Sequence, residues 1–307
     1  MHDFINAVES GEVVIIDGGT GTELERRGAS MNKKAWSAQA TLTHPFLLRG
    51  IHEDYIRAGA EMIIANTYPA SRHVLEDAGL GDDFERINRR AVQIAREAAD
   101  HAAGPVAVAG SISTTTFSKG GELDYERLPD EKTAFNYYLS HAAILAEAGA
   151  DLIILEMMRD VEQTSYALRA AKETGLPVWV GFSCEPGETG EVLLYGKSGL
   201  LKDAVAAAGS LRPHAIGVMH SQMEHTPDAV STVAGRWSGP VFAYPHRGVF
   251  EMPNWRFTDT VSPTEFADAA VHWVKAGATV IGGCCGIGPE HIRELSESLP
   301  ARLKGVC

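Results

Sequence analysis

The chain has 307 residues, 45% hydrophobic and 22% charged, which supplies a large core and carries no signature of disorder. A formal net charge of -13, with no clustered Lys/Arg face, argues against a nucleic-acid backbone as partner. No apolar run reaches the ~18 residues needed to span a bilayer, and residues 1–11 lack the basic-then-apolar build of a signal peptide. A cytoplasmic protein without membrane contact is expected, in an oligomeric state the sequence does not give. Its four cysteines, Cys184, Cys284, Cys285 and Cys307, are too few and too unevenly spread for a disulfide scaffold, so thiol chemistry or metal binding is expected of them.

Eight short apolar runs bounded by Gly or Pro read as strands: residues 13–17, 62–67, 106–111, 152–156, 178–183, 215–219, 241–244 and 280–283. Most are continuously apolar, as parallel strands covered on both faces are. Helical patterns lie between them: Leu48, Ile51 and Tyr55; then Phe135, Tyr138, Leu139 and Ala142; then Phe266, Ala269, Ala270 and Trp273. Ser262, Pro263 and Glu265 form a capping box with proline at the first helical position. Three helix-to-strand joins are near copies, Ala58-Gly59-Ala60, Ala148-Gly149-Ala150 and Ala276-Gly277-Ala278. This repetition predicts an α/β fold, a single (β/α)8 TIM barrel forming one domain over residues 1–307, with an open doubly wound sheet as the alternative. The loops favour the barrel. Those after helices are short, whereas 18–42, 113–130, 185–199 and 247–262 follow strands and are long, which puts the active site at the strand C-termini.

The strand ends on that face read Asp17-Gly18-Gly19, Asn66-Thr67-Tyr68, Ser111, Glu156, Cys184, His220, His246 and Cys284-Cys285. Neighbouring cysteines sit about 3.8 Å apart at Cα, too close for an unstrained disulfide, but two soft thiolates flanked by glycines suit one zinc ion. A third ligand is then needed. His220 is the nearest donor by topology, with His246 and Cys184 as rivals; the structural alternatives are a hydrogen-bonded rim histidine and small buried thiols. Glu156 and Asp17 each end a strand that buries everything before it, so each carboxylate meets a cation or shifts its pKa. The run Asp17-Gly18-Gly19-Thr20-Gly21-Thr22 lacks the spacing of a dinucleotide loop. Its backbone N–H groups can instead hold a carboxylate, so Asp17 and Glu156 for an amine, with Gly18 and Gly19 for a carboxylate, would recognise an amino acid.

These residues resemble the homocysteine S-methyltransferases, zinc barrels that move a methyl group from an onium donor to homocysteine. The resemblance runs over nearly the whole chain, through Asp17-Gly18-Gly19-Thr20-Gly21-Thr22, Ala65-Asn66-Thr67-Tyr68, Glu156 and Gly282-Gly283-Cys284-Cys285-Gly286. It implies that Cys284 and Cys285 bind Zn2+, that Asp17 and Glu156 hold the homocysteine ammonium, that Gly18 faces its carboxylate, and that Gly19, Thr67 and Tyr68 line the substrate. The chain departs from the family pattern at two strand ends. Met219-His220 stands where the family has Asn-Cys with its third zinc ligand, and Pro245-His246 where it has Pro-Asn. With His220 as ligand the protein donors carry two negative charges, which leaves zinc more electrophilic and a bound thiolate easier to ionise but less nucleophilic. Trp36, Phe117, Tyr195, Trp255 and Phe257, in the long loops, are candidates for holding the donor cation. The chain has no room for cobalamin or folate modules and ends soon after Cys285, so S-methylmethionine, S-adenosylmethionine or a similar sulfonium is the expected donor. The alternatives are a different thiol or amino-acid-like acceptor, or a metal-dependent hydrolase.

Overall fold

In a computed structural model, which describes residues 2–114, 118–119, 122–123, 128–196, 199–251, 254–256 and 260–304, the eight predicted strands close into a parallel barrel. They are β1 (Val14–Ile15), β2 (Met62–Ile64), β3 (Ala107–Ser113), β4 (Leu152–Met158), β5 (Val178–Phe182), β6 (Ala215–Gln222), β7 (Val241–His246) and β8 (Val280–Ile281). Each pairs with its sequence neighbour, and β8 returns to β1 in the register Val14↔Val280. The seam between β1 and β2 is held by an Ile16↔Met62 bridge, with the Glu61 N–H donating to the Ile15 carbonyl at 2.8 Å and the Asp17 N–H to Met62 at 3.1 Å. The doubly wound alternative, with its two open edges, is thereby removed.

Alternation along each strand explains the continuous apolar runs. Val14, Ile16, Ile64, Ile154, Trp179 and Phe242 point inward and form one cluster. Ile15, Ile63, Ile153, Val180, Ile216 and Ile281 point outward against the helices and form another. Both faces of the sheet are dry, so neither can tolerate a polar alternation. The N-terminal helix His2–Ser10 closes the bottom of the barrel: Phe4 and Val8 join the inner cluster, and the Phe4 ring stacks on Trp179 with centroids 6.1 Å apart.

The three Ala-Gly-Ala joins share one geometry. After helix Glu131–Glu147, Gly149 adopts φ 102° and its N–H donates to Ala146, while the Ala150 N–H donates to Leu145, both at 3.1 Å. Gly59 and Gly277 repeat this pair of bonds at φ 104° and 116°. This is the Schellman stop, which needs a left-handed residue and so a glycine. The capping box at Ser262 forms as predicted, with the Glu265 N–H donating to Ser262 Oγ at 3.2 Å and the Ser262 N–H to Glu265 Oε2 at 2.9 Å. The long strand-to-helix segments hold elements of their own. They include a short helix Thr20–Arg26 after β1, a hairpin of Cys184–Pro186 and Val192–Leu194 after β5, and a hairpin of Val249–Glu251 and Asn254–Arg256 after β7.

Four strands, β3, β4, β6 and β7, overrun their predicted ends, and β4 and β6 do so through a bulge. Along β4 and β5, Leu155 pairs with Val180 but Met158 with Phe182; along β6 and β7, Met219 pairs with Tyr244 but Gln222 with His246. Each mismatch inserts one extra residue, a bulge, and each contains a non-glycine residue in the left-handed region: Met157 at φ 54° and His220 at φ 47°. Both bulges lie at the C-terminal mouth.

Candidate active site

The bulges re-aim two side chains. His220 Nε2 lies 2.9 Å from Glu156 Oε2, and His220 Nδ1 lies 3.0 Å from Cys284 Sγ. The Cys284 thiol lies 3.6 Å from Cys285 Sγ, so an imidazole, a carboxylate and two sulfurs form one chain of contacts at the barrel mouth. Left-handed backbone costs an imidazole-bearing residue on the order of 1–2 kcal/mol, and such strain concentrates where function demands it. The Tyr68 ring stacks on His220 at 5.1 Å, and its hydroxyl donates to Met157 Sδ at 3.0 Å, so one aromatic side chain spans both bulges.

Burial opposes charge on His220, but the Cys284 sulfur and the Glu156 carboxylate outweigh it and raise the imidazole to about 10. The Glu156 contact supports that direction whether Cys284 is thiol or thiolate. Burial also pushes the Cys284 thiol well up, so without metal both groups hold their protons at neutral pH.

Asp17 is fully buried. Its Oδ2 accepts the Ile64 N–H at 2.8 Å and its Oδ1 the Tyr244 hydroxyl at 3.0 Å; burial raises its pKa well above the carboxylate range against both bonds. Gly18 and Gly19 are glycines because the strand-eight loop packs on them: a Cβ would lie 2.4 Å from the Ile287 carbonyl at Gly18 and 2.6 Å from the Cys284 carbonyl at Gly19. The Gly19 N–H already donates to Ile287 at 3.0 Å, so of the two amides expected to meet a carboxylate this one is engaged within the protein. Thr67 is engaged as well. Its hydroxyl donates to the Ser111 carbonyl at 2.7 Å and accepts the Ser111 N–H at 2.8 Å, tying β2 to β3.

One rival ligand stands apart. Cys184 belongs to the outer cluster, on the opposite face of the sheet from Cys284 and Cys285, where burial pushes its thiol up. The His246 ring meets Trp255 edge-on at 5.5 Å; burial lowers it to about 4 and keeps it neutral. Of the loop aromatics, Trp36 and Trp255 pack against the inner cluster that holds Cys284 and Cys285, whereas Tyr195 lies under Arg159 at 5.5 Å. Phe117 and Phe257 lie outside the described residues. Sequence reasoning missed the Glu156–His220 contact, for which the only signal was a carboxylate and an imidazole ending two apolar strands that have one strand between them.

The donor set suits zinc. Two thiolates about 2.3 Å from a tetrahedral ion lie roughly 3.8 Å apart, close to the 3.6 Å found here. Nδ1 facing sulfur while Nε2 meets a carboxylate is the orientation that metal-bound imidazoles take. Among the described residues no three His, Cys, Asp or Glu side chains form a ready-made metal-binding group, and His220 Nδ1 lies 3.0 Å from Cys284 Sγ, closer than two ligands of one zinc ion sit.

Residues 14–299 match the family model for homocysteine S-methyltransferase. The chain is 29% identical to homocysteine S-methyltransferase 4 of Zea mays, covering 95% of this chain and 90% of that one. It is 30% identical to the selenocysteine Se-methyltransferase of Brassica oleracea var. italica, covering 96% and 91%. Its fold superposes on the metallated form of the homocysteine methyltransferase MmuM from Escherichia coli with a TM-score of 0.78 at 26% identity, covering 93% of this chain and 96% of that one. The chain therefore belongs to the homocysteine S-methyltransferase family and is a methyltransferase of that type.

Proposed function

We propose that the protein transfers a methyl group from a sulfonium donor, S-methylmethionine or S-adenosylmethionine, to the thiol of homocysteine, giving methionine, and that Cys284, Cys285 and His220 hold the zinc ion this requires. The observation that carries the reading is the meeting of two sulfurs and an imidazole backed by Glu156, at the end of a barrel where such enzymes act. Zinc, when bound, supplies the positive charge that ionises a thiol near neutral pH.

The remaining work falls to the protein. Glu156 accepts from His220 through Oε2, which fixes the ring, and its second oxygen is the acceptor for the substrate ammonium. Gly18 is the amide assigned to the substrate carboxylate. Tyr68 walls the site over His220, and Trp36 and Trp255 present apolar faces on which an onium methyl can sit. Loss of the methyl neutralises the donor's positive charge, so a dry aromatic wall that holds the cation only moderately releases the neutral product.

One observation favours a second acceptor class. Both Asp17 oxygens already accept hydrogen bonds, and burial favours its neutral form, so Asp17 draws an ammonium less strongly than an exposed carboxylate would. A thiol lacking the amine is the alternative. The test is methionine formation by zinc-loaded, reduced protein from homocysteine with each sulfonium donor, run beside a mercapto acid without an amine. Turnover with homocysteine is expected. Zinc-loaded protein that methylates only the amine-free thiol would replace the acceptor, and no transfer to either would remove the reading.

A further inference from the structure

We propose that Asn66 is a positioning residue: its carboxamide holds Trp36 at the barrel mouth where, on the reading proposed above, that ring walls the site of the sulfonium donor. Asn66 follows β2 and is buried, and β3 fixes the backbone on either side of it. The Ala65 N–H donates to the Ala109 carbonyl at 2.9 Å, and the Thr67 hydroxyl donates to the Ser111 carbonyl at 2.7 Å. From this anchor the side chain commits its carbonyl oxygen and both amide hydrogens to the loop after β1. Its Oδ1 accepts from the Ser37 hydroxyl at 2.9 Å, while Nδ2 donates to the Ser37 carbonyl at 2.9 Å and to Thr41 Oγ1 at 3.2 Å.

Trp36 is held in a conformation it would not take alone. Its φ of 39° lies in the left-handed region, which a bulky side chain adopts only where its surroundings impose it. Two turns meet there: the Asn32 N–H donates to the Trp36 carbonyl at 2.8 Å, and the Ala38 N–H donates to the Ala35 carbonyl at 2.9 Å. Asn66 grips the very next residue, Ser37, by side chain and backbone together, so the chain cannot unwind at this point. The indole is thereby laid between helix Thr20–Arg26 and the inner cluster that holds Cys284 and Cys285. Gly21 leaves room for it: a Cβ there would lie 2.6 Å from Trp36 Cζ3 and 2.9 Å from Cζ2. Trp36 stays partly exposed, as the wall of a ligand site must. Without the carboxamide the left-handed residue relaxes, and the ring leaves the mouth.

The test has one arm with substrates and one without. In the first, on zinc-loaded protein, Asn66→Ala should raise the KM of S-methylmethionine or S-adenosylmethionine, whichever native protein uses, about tenfold, the loss expected of one cation–aromatic contact. The KM of homocysteine should not change. Placed in Trp36→Ala, the same substitution should raise the donor KM no further, because residues that act through one another are not additive. An unchanged donor KM, an equal rise in both KM values, or a full further rise in the double variant overturns the proposal. In the second arm, metal-free protein carries 5-fluorotryptophan, and the Trp36 fluorine resonance is assigned with Trp36→Phe. That resonance should shift in Asn66→Ala while those of Trp179, Trp237 and Trp273 hold; a Trp36 resonance that does not move overturns the proposal as well. Native protein that transfers no methyl group would remove the function proposed above, and the fluorine arm would still decide whether Asn66 holds Trp36. Should Asn66→Ala fail to fold, Asn66→Asp, which loses both N–H donors, and Ser37→Ala, which loses one bond of the three, carry the same comparison.

Discussion

Tyr244 has one hydroxyl proton and two acceptors in range, Asp17 Oδ1 at 3.0 Å and the Gly18 carbonyl at 2.9 Å. The single hydroxyl proton is shared between them, so Asp17 Oδ1 receives only part of a hydrogen bond and its ionised form gains little from it. This matches the upward shift that burial imposes on Asp17. The sign of the pH effect follows. With a folded pKa raised above the unfolded value, Asp17 contributes stability that is full below about pH 4 and is lost as pH rises toward the folded value. Asn at this position keeps a carbonyl oxygen that can accept from the Ile64 N–H and does not ionise. In metal-free protein the Tm of Asp17→Asn relative to native should therefore rise steadily between pH 4 and pH 7, followed by calorimetry. A difference that is flat or falls with pH would mean that Asp17 is ionised in the folded protein.

At the scale of elements, the helix-to-strand joins test how much of the barrel rests on backbone conformation alone. A Cβ at Gly149 would meet nothing closer than Arg96 Cδ at 4.0 Å, so Gly149→Ala isolates the cost of a left-handed φ of 102°. The expected loss is about 1–2 kcal/mol in urea unfolding at constant m. Gly59→Ala should cost more, because its Cβ would also lie 2.3 Å from Ser296 Oγ. No loss at Gly149 would contradict the assignment of these glycines to the Schellman stop, and equal losses at the two sites would mean that Ser296 yields without cost. The bulges in β4 and β6 are the opposite kind of element: left-handed positions taken by Met157 and His220, where glycine would be easier. Their side chains are what the site uses, which is a reason for the strain to persist.

Across the whole molecule, what was legible in the chain is what local chemistry dictates. Eight apolar runs, three repeated stops and one capping box are local signals, and each has its counterpart in the fold. The closed barrel follows from them because only closure leaves strands covered on both faces without an edge. Three features escaped. The bulges depend on register between strands about 25 residues apart, which no local pattern carries. The plug formed by Phe4 and Val8 belongs to a nine-residue helix whose partners come from distant strands. The contacts between His220, Glu156 and Cys284 exist only after the bulges have turned the side chains. The candidate residues were readable as a set of strand ends; their pairing was not.

The claim on which the account turns is that Cys284, Cys285 and His220 together hold zinc. X-ray absorption at the zinc edge of reduced protein reads that donor set directly. The account predicts two sulfurs at about 2.3 Å and an imidazole nitrogen at about 2.0–2.1 Å, with the sulfur contribution lost or halved in Cys284→Ser and the imidazole signal lost in His220→Ala. A three-sulfur site, an imidazole signal that survives His220→Ala, or reduced protein that takes up no zinc would contradict it.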